Sequence, residues 1–399
     1  MEHLSKKINW HHAAMQGVFW AGMSALWGYL SVYLLAKGFS NGQIGSINSL
    51  SLILSIVIQP MLAALSDHSS RFNSRRVAIL ITLFTLAVTG LLYCFDNSFW
   101  MIAVCFVLIG TMLQLLAPFI NAIVMEYDLH GIPVNYGFGR GIGSAFYAAA
   151  SLGMGLVLEH HAPIVLLPVF AALFGLLLFS FLTFRYPLPS LTKAAEAKEE
   201  EQLSNLQILK NYPTFVLLLI ASALLMASHN TINTYFIHLT RSIGHGESLM
   251  GIVMAICAFM ELPSMTLFPF FKSRLSIRAL LRIAALGFLV KTLLLTVART
   301  PALMYIAATL QFFEFGILHP AMVYYTARLL SIANLAKGQS LYCLFSNCVG
   351  PAAASLLGGF LLDRFGVTAM MLFLLSCCIA GLIIICIATR RKNDLEVSV

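Results

Sequence analysis

Charge is what this sequence has least of. Only 10% of its 399 residues are charged, and Asp and Glu number 16 against 24 Lys and Arg. Soluble domains carry about 25% charged residues, so the composition excludes an ordinary water-exposed globule. The eight cysteines fall in or beside apolar stretches without ligand spacing, which leaves them as packing thiols. No zinc spacing, phosphate-cradling glycine loop or nucleophile elbow is present. Met-Glu-His-Leu is followed by Lys6, Lys7 and a full-length apolar segment rather than a short core with a cleavage site, so no removable signal peptide is expected. The breaks between apolar segments are short and poor in acids and histidines on one side, which speaks against a membrane enzyme. The net charge of +8 needs no nucleic acid, because surplus Lys and Arg facing anionic lipid is ordinary for a membrane protein. No cofactor is implied.

What is abundant is apolar sequence, 59% of the chain. A segment of about 20 apolar residues crosses a hydrocarbon core. We find twelve, at approximately 14–37, 43–66, 77–96, 99–125, 138–159, 163–184, 214–237, 247–270, 278–298, 302–326, 338–362 and 367–389. The fold class expected is an all-α membrane protein of twelve transmembrane helices. Basic residues gather in alternate breaks, among them Arg71, Arg75 and Arg76, then Lys193, Lys198 and Lys210, then Lys272, Arg274 and Arg278. Those breaks are expected on the cytoplasmic side, with both termini inside, in the cell membrane.

One composition shift divides the chain. Residues 186–212 hold Pro187, Pro189 and a run of Lys and Glu, which reads as a charged cytoplasmic linker between a six-helix bundle at 1–185 and another at 213–399. Ile44-Gly45 and Pro60 in the second segment have counterparts in Met250-Gly251 and Pro263 of the eighth, consistent with duplication. Internal repeats of this kind mark transporters. One polypeptide then holds both halves of a pathway, and a monomer is expected.

Against this apolar background Glu126, Glu261, Glu314, Arg140 and Lys291 sit in or at the ends of membrane segments. Ionisable groups in hydrocarbon are costly and usually mark a buried, hydrated path for a substrate or proton. Glu126 reads equally well as a membrane residue or a cytoplasmic loop acid. The glycines 137, 139, 141 and 143 of the fifth segment are expected first to let helices approach. His229 and His319 could relay protons near neutral pH, against the commoner reading of satisfied polar residues in helix interfaces. Trp20 and Trp27, two turns apart, are placed on one face, where they could line a cavity with Tyr324 or Tyr325.

Three stretches carry a family resemblance. The loop Asp67-His68-Ser69-Ser70-Arg71-Phe72-Asn73-Ser74-Arg75-Arg76 resembles the signature loop of the major facilitator superfamily, without its usual glycine. The resemblance implies two pseudo-symmetric six-helix bundles and a gating role for Asp67, Arg71, Arg75 and Arg76. The fifth segment, Tyr136-Gly137-Phe138-Gly139-Arg140-Gly141-Ile142-Gly143 to Tyr147, resembles the lactose permease-like oligosaccharide:proton symporters. There an Arg forks to sugar hydroxyls and an aromatic stacks on the ring, places taken here by Arg140 and by Tyr147 in lieu of Trp. Lys291 precedes Glu314 by 23 residues, the separation of that group's Arg and its proton-accepting Glu.

The resemblance therefore implies proton coupling by Glu314, Lys291 and Glu261, and solute binding by Asn121, Arg140, Tyr147, Asn233, Glu261 and Gln311. Low dielectric favours a neutral carboxyl and a neighbouring cation favours the ionised one, so changing contacts can load and release a proton. The alternative is a static Lys291–Glu314 pair that ties helices together. Asn230 and Asn233 stand for acids of the group, Gln311 for its His and Asn121 for its Glu, which weighs against a galactoside as solute. The function expected is proton-coupled symport of a sugar, oligosaccharide, nucleoside or similar polar solute by alternating access. The competing reading is a proton-coupled drug efflux antiporter.

Overall fold

In the computed structural model every membrane segment is helical. The structure describes residues 2–68, 73–187 and 203–390, without the side chains of 63–68, 129 and 332–333. Long apolar stretches become helices because only a helix satisfies every backbone N–H and C=O within its own segment where no water reaches. The helices are α1 (Glu2–Ala36), α2 (Asn41–His68), α3 (Ser74–Cys94), α4 (Phe99–Leu129), α5 (Tyr136–His160) and α6 (Pro163–Thr183). They continue as α7 (Pro213–Ser242), α8 (Glu247–Arg274), α9 (Ile277–Val297) and α10 (Pro301–Leu329).

The last helical stretch, Asn334–Ala388, is 55 residues long. A straight helix of that length would span roughly 80 Å at 1.5 Å per residue, far beyond a hydrocarbon core. It is broken at Gly366, whose φ of 79° and ψ of −176° no side-chain-bearing residue adopts readily. The arm before Gly366 is α11 and the arm after it α12, so the described residues make twelve crossings, and the break falls inside the gap 363–366 that the sequence leaves between the last two segments. The first segment begins twelve residues earlier than its apolar core, because polar residues outside the hydrocarbon extend α1 to Glu2. Within the stretch read as linker, Asn205–Asn211 forms a short helix. Ser204 and Gln207 make a capping box at its start, and Ile208 is fully buried. The chain divides into two compact units, Met1–Ala195 with Gly246–Ala258, and Glu196–His245 with Phe259–Val399.

In the first unit α1 packs along α5 and α6, α3 along α4 and α6, and α2 along α4. In the second, α7 packs against the α11–α12 stretch and α9 lies against that stretch and α10. Both central helices are interrupted at a tyrosine. α1 passes through a π-turn at Met23–Trp27 and reaches Tyr29 at φ −109°, ψ 21°; α7 is kinked at Tyr235, at φ −108°, ψ 18°. Tyr29 donates its phenol hydrogen to the Ser151 carbonyl of α5 at 2.6 Å, and Tyr235 donates to the Ser355 carbonyl of α11 at 2.9 Å. Both rings are fully buried. Each interrupted helix then ends ahead of a glycine at φ 81°, Gly38 and Gly244, where the chain turns into the next helix. The two halves thus repeat one kink, one tether and one turn, which supports the duplication read from the sequence.

Close approach is set by missing Cβ atoms. A Cβ at Gly155 of α5 would stand 2.8 Å from the Glu247 carbonyl oxygen, and one at Gly251 would stand 2.5 Å from that of Ser151. A Cβ at Gly350 of α11 would reach 2.1 Å from the Ala223 carbonyl oxygen of α7. Gly251→Val should therefore force backbones apart and lower the melting temperature of the detergent-purified protein substantially. Tyr29→Phe removes one hydrogen bond, worth about 0.5–1.5 kcal/mol, and should cost only a few degrees. Equal melting of the two variants would show that the glycine contact is not limiting.

Candidate functional site

α10 is not continuous. It runs as an α-helix over Pro301–Thr309, tightens to a 3-10 turn at Leu310–Phe312 and restarts at Phe315, with Glu314 at φ −85°, ψ −91° in the gap. The break releases backbone groups, and the carbonyl oxygen of Phe312 is taken up by the hydroxyl of Ser264 from α8 at 2.5 Å. Gly287 of α9 lets the break come close, since a Cβ there would lie 3.1 Å from the Glu314 nitrogen. Broken helices in transporters expose such groups to a site rather than to lipid.

The break carries Gln311 and Glu314 to Lys291 on α9. The ammonium donates to Gln311 Oε1 and to Glu314 Oε1. All three side chains are at most 5% exposed, so each charge is compensated inside the protein. Gln311 turns its Nε2 to Glu261 Oε1 on α8 at 2.8 Å. On α7, His229 Nδ1 lies 3.1 Å from Glu314 Oε1 and its Nε2 lies 3.0 Å from Asn233 Nδ2. An ionised carboxylate only accepts, so Nδ1 carries the ring hydrogen and Nε2 accepts from the Asn233 amide. His229 is thereby a neutral imidazole stacked on Phe315, with ring centroids 5.7 Å apart. Six side chains from α7, α8, α9 and α10 form one connected chain, Glu261–Gln311–Lys291–Glu314–His229–Asn233.

A second cluster lies in the first unit. Gln16 of α1, 3% exposed, donates to Asn121 Oδ1 of α4 at 2.8 Å, and its Oε1 accepts from the Trp20 indole at 3.0 Å. The Arg140 guanidinium of α5 stands 4.2 Å over the Trp20 ring and donates to Ser144 Oγ at 2.8 Å. Tyr147 meets Trp20 edge-on, with centroids 6.4 Å apart. A cation over an aromatic face is held by the ring quadrupole, by about 0.5–2 kcal/mol. Gly139 and Gly143 admit α1, since a Cβ at either would come within 2.5 Å of His12 or Trp20. These two glycines serve packing, as the sequence suggests. The cluster offers amide, guanidinium and aromatic faces, the set that meets hydroxyls and the C–H face of a ring.

The binding and coupling residues read from the sequence thus fall into two groups: Asn121, Arg140 and Tyr147 in the first unit, and Asn233, Glu261, Lys291, Gln311 and Glu314 in the second. Glu126 is helical, in the last turn of α4 and partly exposed, with its carbonyl oxygen 2.7 Å from His130 Nδ1. Of the gating set, Arg75 donates to the Phe184 carbonyl oxygen at 2.7 Å and ties α3 to the end of α6; the backbone of Arg76 is capped by Asn73. Arg71 and the side chain of Asp67 lie outside the described residues. The shared face of Trp20 and Trp27 does not survive: the π-turn between them adds a residue, and Trp27 packs at Gly110 of α4 while Trp20 packs at Gly143 of α5. Tyr325 is buried in the core of the second unit, and Tyr324 lies under Lys272, whose Nζ is 3.6 Å from its ring centroid. Sequence reasoning missed Gln16 and the bond from His229 to Glu314. A glutamine four residues before a tryptophan in an apolar helix was the available signal for the first.

Residues 10–375 match the model of the MFS_1 like family. The chain is 28% identical over 398 residues to the maltose permease of Geobacillus stearothermophilus, covering 97% of this chain and 98% of that one. It is 25% identical over 386 residues to the uncharacterized transporter YwbF of Bacillus subtilis (strain 168), covering 94% and 92%. Its fold superposes on a mutant of the nucleoside transporter NupG with a TM-score of 0.79 at 16% identity, over 96% of this chain and 99% of that one. A bacterial homolog of the human lysosomal transporter Spinster gives 0.69 at 15% identity, over 98% and 96%. With twelve membrane crossings and a match over most of its length, the chain belongs to the MFS_1 like family, a family of major facilitator superfamily membrane transporters, not enzymes.

Proposed function

We propose that this protein is a proton-coupled symporter of a neutral saccharide or similar polyhydroxyl solute, working by alternating access. The observation that carries the reading is the buried Lys291–Glu314–His229 cluster at the break in α10. With both carboxylates ionised, Glu261, Glu314, Lys291 and neutral His229 sum to one negative charge. One proton makes the cluster neutral, and a neutral site crosses hydrocarbon at far lower cost than a charged one. Glu314 is the proton carrier in this scheme. Lys291 compensates it when empty and keeps its bond to Gln311 when Glu314 takes the proton, and His229 and Asn233 orient the carboxylate from α7.

Each unit offers its own candidate solute contacts, Asn121, Arg140, Tyr147 and Trp20 in the first, and Asn233, Glu261 and Gln311 in the second. A guanidinium fork and paired amides suit hydroxyl groups, and Trp20 and Tyr147 suit a ring face. The maltose permease relative favours a sugar over a nucleoside. The placement of basic residues favours both termini in the cytoplasm, with Arg75 and Arg76 near the gate, and the presence of both halves in one polypeptide favours a monomer in the cell membrane.

Medium alkalinisation by energy-depleted cells on addition of maltose or other glucosides should accompany uptake, and Glu314→Gln should abolish gradient-driven accumulation while keeping solute exchange. Accumulation by Glu314→Gln that still follows the proton gradient would reject Glu314 as carrier; proton release with solute would instead mark an antiporter. Arg140→Lys keeps the charge but loses the fork and the stacking, so it should raise KM about tenfold with little change in melting temperature. Lys291→Met alone should destabilise by about 3–5 kcal/mol, because it leaves a buried carboxylate uncompensated. Adding Glu314→Gln should restore most of that loss, which thermal melts of the single and double variants can check.

A further inference from the structure

Outside both clusters, a groove of about 680 Å³ opens on the first unit between the start of α1 and the end of α6. Its mouth carries His3, Lys6 and Lys7, and among the described residues none that lines it is acidic. Glu2 precedes it by one residue, and Arg185 follows α6 at the same end. Away from the mouth the lining turns apolar, through Ala14 and Val18 on α1 and Leu176 and Phe179 on α6. From Lys7 to Val18 the helix rises about 16 Å at 1.5 Å per residue, so the trough starts at the membrane surface and runs into hydrocarbon. Leu176 and Phe179 are more than half exposed, as lipid-facing residues are. Trp10 stands at the mouth, its ring edge-on to Phe138 with centroids 5.0 Å apart, where an amphipathic indole marks the interface.

The floor is polar but almost satisfied. His11 Nε2 lies 3.0 Å from the Ser180 carbonyl oxygen and so donates, and its Nδ1 lies 3.1 Å from the Tyr186 hydroxyl. Both ring nitrogens are thus engaged within the protein and are not free to bind an anion. The hydroxyl of Ser180, by contrast, is buried and has no hydrogen-bond partner among the described residues. Two ammonium groups at the surface, an unsatisfied hydroxyl just beneath and an apolar trough below form a gradient that matches an amphiphile. A soluble anion would leave the trough empty, and a zwitterionic lipid, with no net charge, would gain less from Lys6 and Lys7 than an anionic one.

We infer that this groove binds one anionic glycerophospholipid, its phosphate at Lys6 and Lys7, an ester or phosphate oxygen on Ser180 Oγ and an acyl chain along Val18, Leu176 and Phe179. Juxtamembrane lysines attract anionic headgroups at short range, and the groove adds shape to that attraction. The full-length protein in detergent should be titrated with dioleoylphosphatidylglycerol, dioleoylphosphatidylcholine and glycerol 3-phosphate, followed by native mass spectrometry and melting. Phosphatidylglycerol should be retained and raise the melting temperature, and the other two should not. Lys6→Gln with Lys7→Gln should weaken its retention about tenfold without unfolding the protein, and Ser180→Val should weaken it by a smaller factor. Equal retention of both lipids, stabilisation by glycerol 3-phosphate alone, or unchanged retention by the lysine variant would each overturn the inference.

Discussion

An ammonium group buried among apolar helices must meet an anion or lose its charge, and in this protein Lys291 meets Glu314. Much of the second unit's local structure follows from that requirement. The helix that carries the carboxylate, α10, opens at 310–314 beside α9. An opened helix strands a carbonyl, and Ser264 supplies the hydroxyl that Phe312 would otherwise lack. The opened backbone needs room, which Gly287 supplies on one side and Gly316 on the other, where a Cβ would fall 2.2 Å from Ser264 Oγ. Gln311 then finishes the cluster by accepting from Lys291 and donating to Glu261, so that one amide serves both charge signs.

The two halves share a scaffold and divide the chemistry. Tyr29 and Tyr235 make the same tether at the same kink, and Gly38 and Gly244 make the same turn. At the corresponding depth the side chains differ in kind. Around α1 they are amides, aromatics and one guanidinium lying on a tryptophan; around α7 they are two carboxylates, an ammonium and an imidazole. A duplicated backbone can diverge in this way because the helix contacts depend on small residues and backbone acceptors, which leave neighbouring positions free to change.

The twelve crossings were legible because hydrocarbon thickness imposes a length on apolar sequence, and the break between α11 and α12 was legible because Gly366 interrupts the longest such stretch. The Lys291–Glu314 contact was legible from the family resemblance, in which an Arg and a Glu stand at the same separation. Hydropathy could not show the unwinding at 310–314, since Leu-Gln-Phe-Phe-Glu is as apolar as much regular helix. Nor could it show the π-turn at Met23–Trp27, where one added residue moves Trp27 off the face of Trp20. Gln16 and His229 were hidden for another reason. Each acquires its meaning from a third residue on a distant segment, Asn121 for one and Glu314 for the other, and a helical pattern along one segment carries no information about that partner.

This division of chemistry bears on how a solute and a proton could influence each other, on the proposal made above. A neutral polyhydroxyl solute brings hydrogen-bond groups but no charge, so by itself it cannot compensate an ionised cluster. Its leverage lies in Gln311 and Glu261, which are placed to bond either a hydroxyl or each other. If a hydroxyl takes the Glu261 oxygen, Gln311 is released to rotate, and the acceptor it offers Lys291 changes. The ammonium then leans on Glu314 more or less strongly according to what the solute has done one bond away. Coupling of this kind needs no long-range pathway: it needs a shared amide between a binding carboxylate and a titrating one, and Gln311 occupies that place.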